Sequence, residues 1–203
     1  MFRIKSHLRE IPLKELRPTQ MTVGFSEVED KRKSWDKLGD KERRKAMGEQ
    51  LFPVVKGPGK AYYLLDSHHT ALALIGEKAE YVQAGLVEDL SDLDRDAFWI
   101  YLDHHSWMHI YDARGKRRQF SDMPKRFEDM QDDPYRSLAG TVRDAGGFAK
   151  AEEPFLEFLW ANYFRDRVPL RLVRSDPKQA KRKAMSLASG KEASHLPGWC
   201  GKR

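Results

Sequence analysis

The chain has 203 residues, 40% hydrophobic and 11% aromatic, which is enough apolar material for a core and excludes general disorder. It carries 37 Lys and Arg against 31 Asp and Glu, a net charge of +6, and the excess sits at one end: Lys178, Lys181, Arg182, Lys183, Lys191, Lys202 and Arg203 face only Asp176 and Glu192 after Ser175. No apolar run approaches the ~18 residues of a membrane span, the charged start Met1–His7 lacks the apolar stretch of a signal peptide, and a single cysteine, Cys200, excludes an internal disulfide or a thiolate zinc cage, so the chain is expected in the cytoplasm.

Leu8 to Leu16 reads as a short strand and turn, closed by Arg17-Pro18-Thr19-Gln20. Glu27 to Glu49 is polar and helix-prone, with a break near Gly39-Asp40. Phe52–Lys56 and Tyr62–Leu65 read as two strands joined by the turn residues Gly57-Pro58-Gly59-Lys60, a hairpin whose second strand delivers Asp66. Thr70–Ile75 is a helix stopped at Gly76, Tyr81–Val87 a strand, and Ser91-Asp92-Leu93-Asp94 the cap of a helix through Phe98, Trp99 and Leu102. Trp107–Tyr111 reads as a last strand. Beyond Met123 the pattern is helical. Asp133-Pro134 is an N-cap with Pro at the first position of a helix that runs to Ala145 and stops at Gly146-Gly147. Pro154–Arg165 carries an aromatic stripe suited to core packing, and Asp176-Pro177 opens a helix ending near Gly190. The expected architecture is α+β: residues 1–118 form the α+β domain, and residues 119–203 a helical extension packed on it.

Asp66-Ser67-His68-His69-Thr70 sits where a strand meets a helix N-terminus, whose free N–H groups and dipole attract phosphate. Ser67 and Thr70 can hold an oxygen. His68 and His69 can relay protons, and Asp66 can act as a base or hold a metal. An Asp/Ser cap beside two partly buried histidines explains the same residues. Arg136 and Arg143 lie seven apart on one predicted helix face, with Tyr135 and Ser137 in its first turn, and Asp132-Asp133 can cap that helix or hold Mg²⁺. Lys31 falls on the first helix. Thr19 and Gln20 follow Pro18 in a turn that can aim them at a ligand. His105 and His109 have the spacing of a metal pair only if one helix carries both, and a strand at Trp107 breaks that geometry.

Ile11-Pro12-Leu13, Leu16–Gln20, Tyr63–Ala73, Asp133–Gly140 and Pro154–Ala161 together resemble the ParB-like proteins and, more narrowly, the branch named putative ParB-like nucleases. That resemblance implies the ParB/sulfiredoxin fold, a mixed sheet forming a partly open barrel, in which the loop corresponding to Asp66–Thr70 grips nucleotide phosphates. Two departures matter. The sulfiredoxin-type loop has a catalytic Cys, absent here, so sulfinic acid reduction is excluded. The ParB-type loop carries arginines where His69 and Thr70 stand, and neither copies a bidentate guanidinium. Phosphate would therefore need cations from elsewhere, with Lys31, Arg136 and Arg143 as candidates. The helix-turn-helix domain of partitioning proteins is not evident. The expected function is binding of a nucleotide or phosphodiester at this loop, with phosphoryl transfer or hydrolysis and Mg²⁺. The alternatives are a non-catalytic DNA-binding or interaction module using the basic tail, and a small-molecule kinase.

Overall fold

A computed structural model describes residues 2–48 and 50–201. Met1, Glu49, Lys202 and Arg203, which belong to the expected N-terminus, first helical stretch and basic tail, lie outside the described residues. In chain order the elements are β1 (Ser6–Pro12), β2 (Leu16–Pro18), β3 (Thr22–Val23), α1 (Phe25–Asp36), α2 (Asp40–Gly48), β4 (Leu51–Lys56), β5 (Tyr62–Leu64), α3 (His68–Gly76), β6 (Tyr81–Asp89), α4 (Arg95–His104), β7 (Gln131–Asp132), α5 (Pro134–Asp144), α6 (Leu156–Arg165), α7 (Leu170–Ser175) and α8 (Pro177–Ser189). Among the described residues no helix is long and apolar enough to cross a membrane.

Five strands form a curled half-barrel in the order β1-β6-β4-β5-β2. Pairing is mixed: β1/β6 and β4/β5 are antiparallel, β4/β6 and β2/β5 parallel. The hairpin expected around Gly57–Lys60 is present, with Val54 opposite Leu64 and Lys56 opposite Tyr62. Strand alternation sends neighbouring side chains to opposite faces. Val54 and Leu64 therefore join the core under α1 and α3 with Phe52, Leu74 and Trp35. Val55, Tyr63 and Leu65 join a second core with Phe98, Trp99 and Leu102 of α4. A third core, around Trp160, Phe164, Val142 and Phe148, unites α5, α6 and α8.

The polar stretch from residue 27 breaks into α1 and α2 at Gly39, as its turn residues require. Asp94 caps α4 by accepting from the Ala97 amide at 2.8 Å. The expected strand at Trp107–Tyr111 is instead two isolated bridges, Gln20 to His109 and Tyr111 to Arg117. On one side the chain pairs with the loop at Thr19–Met21, through His109 N–H to the Thr19 carbonyl and Met21 N–H to the His109 carbonyl, and on the other Arg118 N–H reaches the Ile110 carbonyl. It then turns at Asp112, whose Oδ1 accepts from the amides of Arg114 and Lys116. The short helix α7 was not expected from the sequence. It is a single turn and a half after Pro169, too brief to show a period.

Two adjacent aspartates join the helices to the sheet region. Asp132 Oδ1 accepts from the Phe25 amide at the start of α1 (2.9 Å). Asp133 Oδ1 accepts from the amides of Tyr135 and Arg136 at the start of α5. Two orphaned helix starts are thereby capped from one point of the chain, and β7 pairs in parallel with β3 beside them. The consequence for function is that α5 lies against α1, and Arg136 reaches the region of α3.

Candidate functional site

The loop after β5 turns sharply, with Ser67 in the left-handed region at φ 69°. Asp66 is exposed and its Oδ1 accepts from the Ser67 amide at 2.5 Å, while Ser67 Oγ accepts from Gln50 Nε2. The two histidines that follow point to different places. His68 is 1% exposed, and its Nε2 accepts from the Thr19 amide at 3.0 Å. Thr19 is itself fully buried and donates its hydroxyl to the Leu64 carbonyl at 2.7 Å. His68 therefore ties the loop after β2 to the start of α3. Burial, helped by nearby His109, lowers its pKa to about 3, so the ring is neutral. Gln20 and Thr70 are also buried.

His69 faces the other way and reaches α1. Its Nε2 accepts from the Gly24 amide at 2.9 Å and lies 3.6 Å from Glu27 Oε2. The second contact is not an ion pair. Burial first, then Arg136, holds the His69 pKa well below its usual value, and a ring nitrogen that accepts from Gly24 carries no proton. The other oxygen of the same carboxylate, Glu27 Oε1, takes Arg136 Nη1 at 2.5 Å. Glu27 thus stands between His69 and Arg136, one oxygen toward each. Desolvation raises its pKa against the pull of Arg136 and Arg143.

The cluster continues along α5 and α6. Arg136 Nη2 lies 3.9 Å from Glu157 Oε2, and Arg143 pairs with Glu157 Oε1. Burial pushes the Glu157 carboxyl up, but Arg136 and Arg143 outweigh it and the net pKa is lowered. Two carboxylates that share one guanidinium are therefore shifted in opposite directions, a pattern common at acid–base sites. Lys31, half-buried one turn along α1 from Glu27, adds positive field at His69. Gly140 makes the close approach possible, because a Cβ there would sit 2.2 Å from Glu27 Oε1.

Of the residues singled out from sequence, His69, Arg136, Arg143 and Lys31 converge around Glu27. His68, Thr19, Gln20 and Thr70 lie in the interior beside them. Ser137 is buried against Gly24, its Oγ without a partner. Asp66 faces solvent on the loop. Among the described residues no group of three or more His, Cys, Asp or Glu is placed to hold a metal. The helix α4 ends at His104, so His105 and His109 share no helical face. His109 instead stacks on Phe158 at 3.8 Å between centroids, with a pKa lowered to about 3 by burial and then by Arg136 and Arg165. Sequence reasoning missed Glu27 and Glu157. A signal existed for the first: Glu27 and Lys31 are one turn apart, an acid and a base on the row of α1 that continues to the buried Trp35. Glu157 had no such signal.

A family model described as Putative ParB-like nuclease matches residues 9–166, a span that holds every member of this cluster. The crystal structure of protein Atu1540 from Agrobacterium tumefaciens is similar to this chain, with 44% identity and a TM-score of 0.89, covering 98% of this chain and 100% of that one. No curated protein matches the chain.

Proposed function

The chain belongs to the Putative ParB-like nuclease family, and on that premise we propose that it binds a phosphodiester or nucleotide phosphate beside the Asp66–Thr70 loop and hydrolyses it. The observation that carries this reading is the Glu27 carboxylate held between His69 and Arg136, with its pKa raised by burial. A base with a raised pKa can take a proton from water near neutral pH. Arg136, Arg143 and Lys31 supply the charge that the loop lacks, and they stabilise the negative charge that develops on the phosphoryl oxygens. Ser67 and the first amides of α3 orient those oxygens. His68 positions Thr19 and the loop from within.

Mg²⁺ enters as an open partner of the phosphate. Asp66 is a single exposed carboxylate whose Oδ1 already accepts from the Ser67 amide. That is too little for a protein-built site, so no step is routed through the metal. Mg²⁺ can still bind with one carboxylate and several waters once phosphate is present.

The test is hydrolysis of bis(4-nitrophenyl) phosphate, with Mg²⁺ and with EDTA, alongside nucleotide thermal shifts. Glu27→Gln keeps the shape and removes the base, and is expected to lower the rate by about 100-fold or more. Gly140→Ala is the companion variant. Its new Cβ displaces the Glu27 carboxylate, while helix propensity at that position improves by up to ~1 kcal/mol. It should lose activity, with a melting temperature lowered by the displaced Glu27–Arg136 pair. Parental activity in both variants would rule the reading out.

A further inference from the structure

Beside the Glu27 cluster runs a groove of about 270 Å³. One wall holds Ser26 and Ser137, the direct neighbours of Glu27 on α1 and of Arg136 on α5. The opposite wall holds Val173 and Arg174 of α7 and Pro177 and Ala180 of α8. The outer surface of that opposite wall is strongly basic. Between Leu170 and Ser189 stand Arg171, Arg174, Lys178, Lys181, Arg182 and Lys183, against Asp176 alone. All but the half-buried Lys181 are exposed. Asp176 is occupied in capping α8, where it accepts from the Gln179 amide.

These cations differ from the paired arginines of the fold. Arg32, Arg43, Arg117, Arg118, Arg126, Arg136, Arg143 and Arg165 each meet a carboxylate. Among the described residues none of the six on α7 and α8 makes a hydrogen bond or an ion pair. The helix α8 turns Ala180, Ala184 and Ala188 inward and thereby sends Lys178 and Arg182 outward, on the opposite side of the helix.

We infer that the α7–α8 face is a docking surface for the phosphate backbone of a nucleic acid, which it lays along the groove toward Glu27. The inference rests on the phosphodiester reading of that site and adds that the substrate is a polymer. Unpaired cations along two consecutive helices neutralise successive phosphates and release counterions, which is the main source of non-specific nucleic-acid affinity. The groove itself is walled by Pro134, Leu138 and Val173 and holds one acid, Asp132. It suits a sugar or base edge, so the phosphates follow the rim at Arg174 and Lys178. An anionic membrane fits less well. A membrane-surface helix pairs its cations with exposed apolar anchors, and Leu170 is the one exposed large apolar side chain among the described residues of these two helices.

The test is fluorescence anisotropy with a short labelled duplex DNA across a salt series, using the full chain, Arg174→Ala/Lys178→Ala/Arg182→Ala, and Glu27→Gln. The parent is expected to bind with a steep salt dependence. In the triple variant the slope of log K against log salt should fall by about 2.7, at about 0.9 for each phosphate no longer neutralised. Its affinity should fall more than tenfold, and its melting temperature should stay that of the parent. Three results overturn the inference: no DNA binding by the parent at low salt, parental binding by the triple variant, or parent binding to phosphatidylserine vesicles in place of DNA. Glu27→Gln separates the two readings. Its ester hydrolysis bears only on the function proposed for the Glu27 cluster, and the DNA affinity of the triple variant bears only on this surface.

Discussion

Two groups of arginines in this protein differ in their surroundings, and the contrast between them separates a built interior from a solvated face. On α1, α5 and α6 each guanidinium group is paired with a carboxylate. Arg136 is 10% exposed and bonded to Glu27, Arg165 meets the buried Asp133, and Arg143 meets Glu157. On α7 and α8 the cations face water without a partner among the described residues. Opposite charge in the first region holds helices in fixed positions. Surplus charge in the second holds nothing and is available to a ligand. A single count of basic residues hides this division, because each arginine adds the same charge whether or not a carboxylate meets it.

The largest expected effect comes from breaking an interior pair. Arg136→Ala leaves the largely buried Glu27 carboxylate without its cation, which should destabilise the fold by about 3–5 kcal/mol. Arg182→Ala on the outer face should stay within about 0.5 kcal/mol. Urea unfolding of both variants decides the matter, and equal losses would erase the distinction between the two regions.

Acid is the next way to separate them. Folded His68 and His109 stay neutral down to about pH 3, whereas in the unfolded chain they protonate near 6.5. Their contribution is complete above pH 6.5 and is lost as the pH falls toward 3, because the unfolded chain takes up protons that the folded one refuses. Between pH 7 and 5 the loss is about 2 kcal/mol for each ring. His69 shifts in the same direction and adds to it. Unchanged stability at pH 5 would mean that the rings are far less buried than the structure has them.

A smaller effect tests the helix contact beneath the cluster. A Cβ at Gly24 would lie 2.2 Å from Ser137 Oγ and 2.8 Å from the Ser137 amide nitrogen. Backbone cannot move aside as a side chain can. Gly24→Ala should therefore cost about 1–3 kcal/mol and disturb the amide that His69 accepts from. A melting curve matching the parent's would show that α5 shifts freely on α1.

Most elements were legible in the sequence because each is set by local chemistry. Gly57-Pro58-Gly59-Lys60 makes its turn, Asp94 caps α4, and Asp133-Pro134 opens α5 wherever these residues occur. Trp107–Tyr111 failed as a strand because its β-rich composition says nothing about how long a partner it will meet. It found short loop segments, at Thr19–Met21 and at Arg117–Arg118. Within the Asp66–Thr70 loop, the sequence marks two histidines of the same chemistry. Their opposite surroundings follow from adjacency on a helix, where successive side chains are about 100° apart. One ring meets Thr19 in the interior and the other meets Gly24 and Glu27.

By itself, the sequence determined the β4–β5 hairpin, most of the helices and the basic end of the chain, because capping, turn chemistry, strand period and charge count depend on neighbours in the chain. The barrel and the need for cations from outside the loop were what the resemblance to the ParB-like proteins implied. Only the tertiary structure decided that Glu27 and Glu157 join His69 and Arg136, which arginines are paired and which are free, and that a groove is walled by α1 and α5 on one side and by α7 and α8 on the other. Glu27 and Arg136 are 109 positions apart. Contacts across such a span depend on how α1 and α5 dock, through Asp132, Asp133 and the bare backbone of Gly24 and Gly140, and no local pattern encodes that docking.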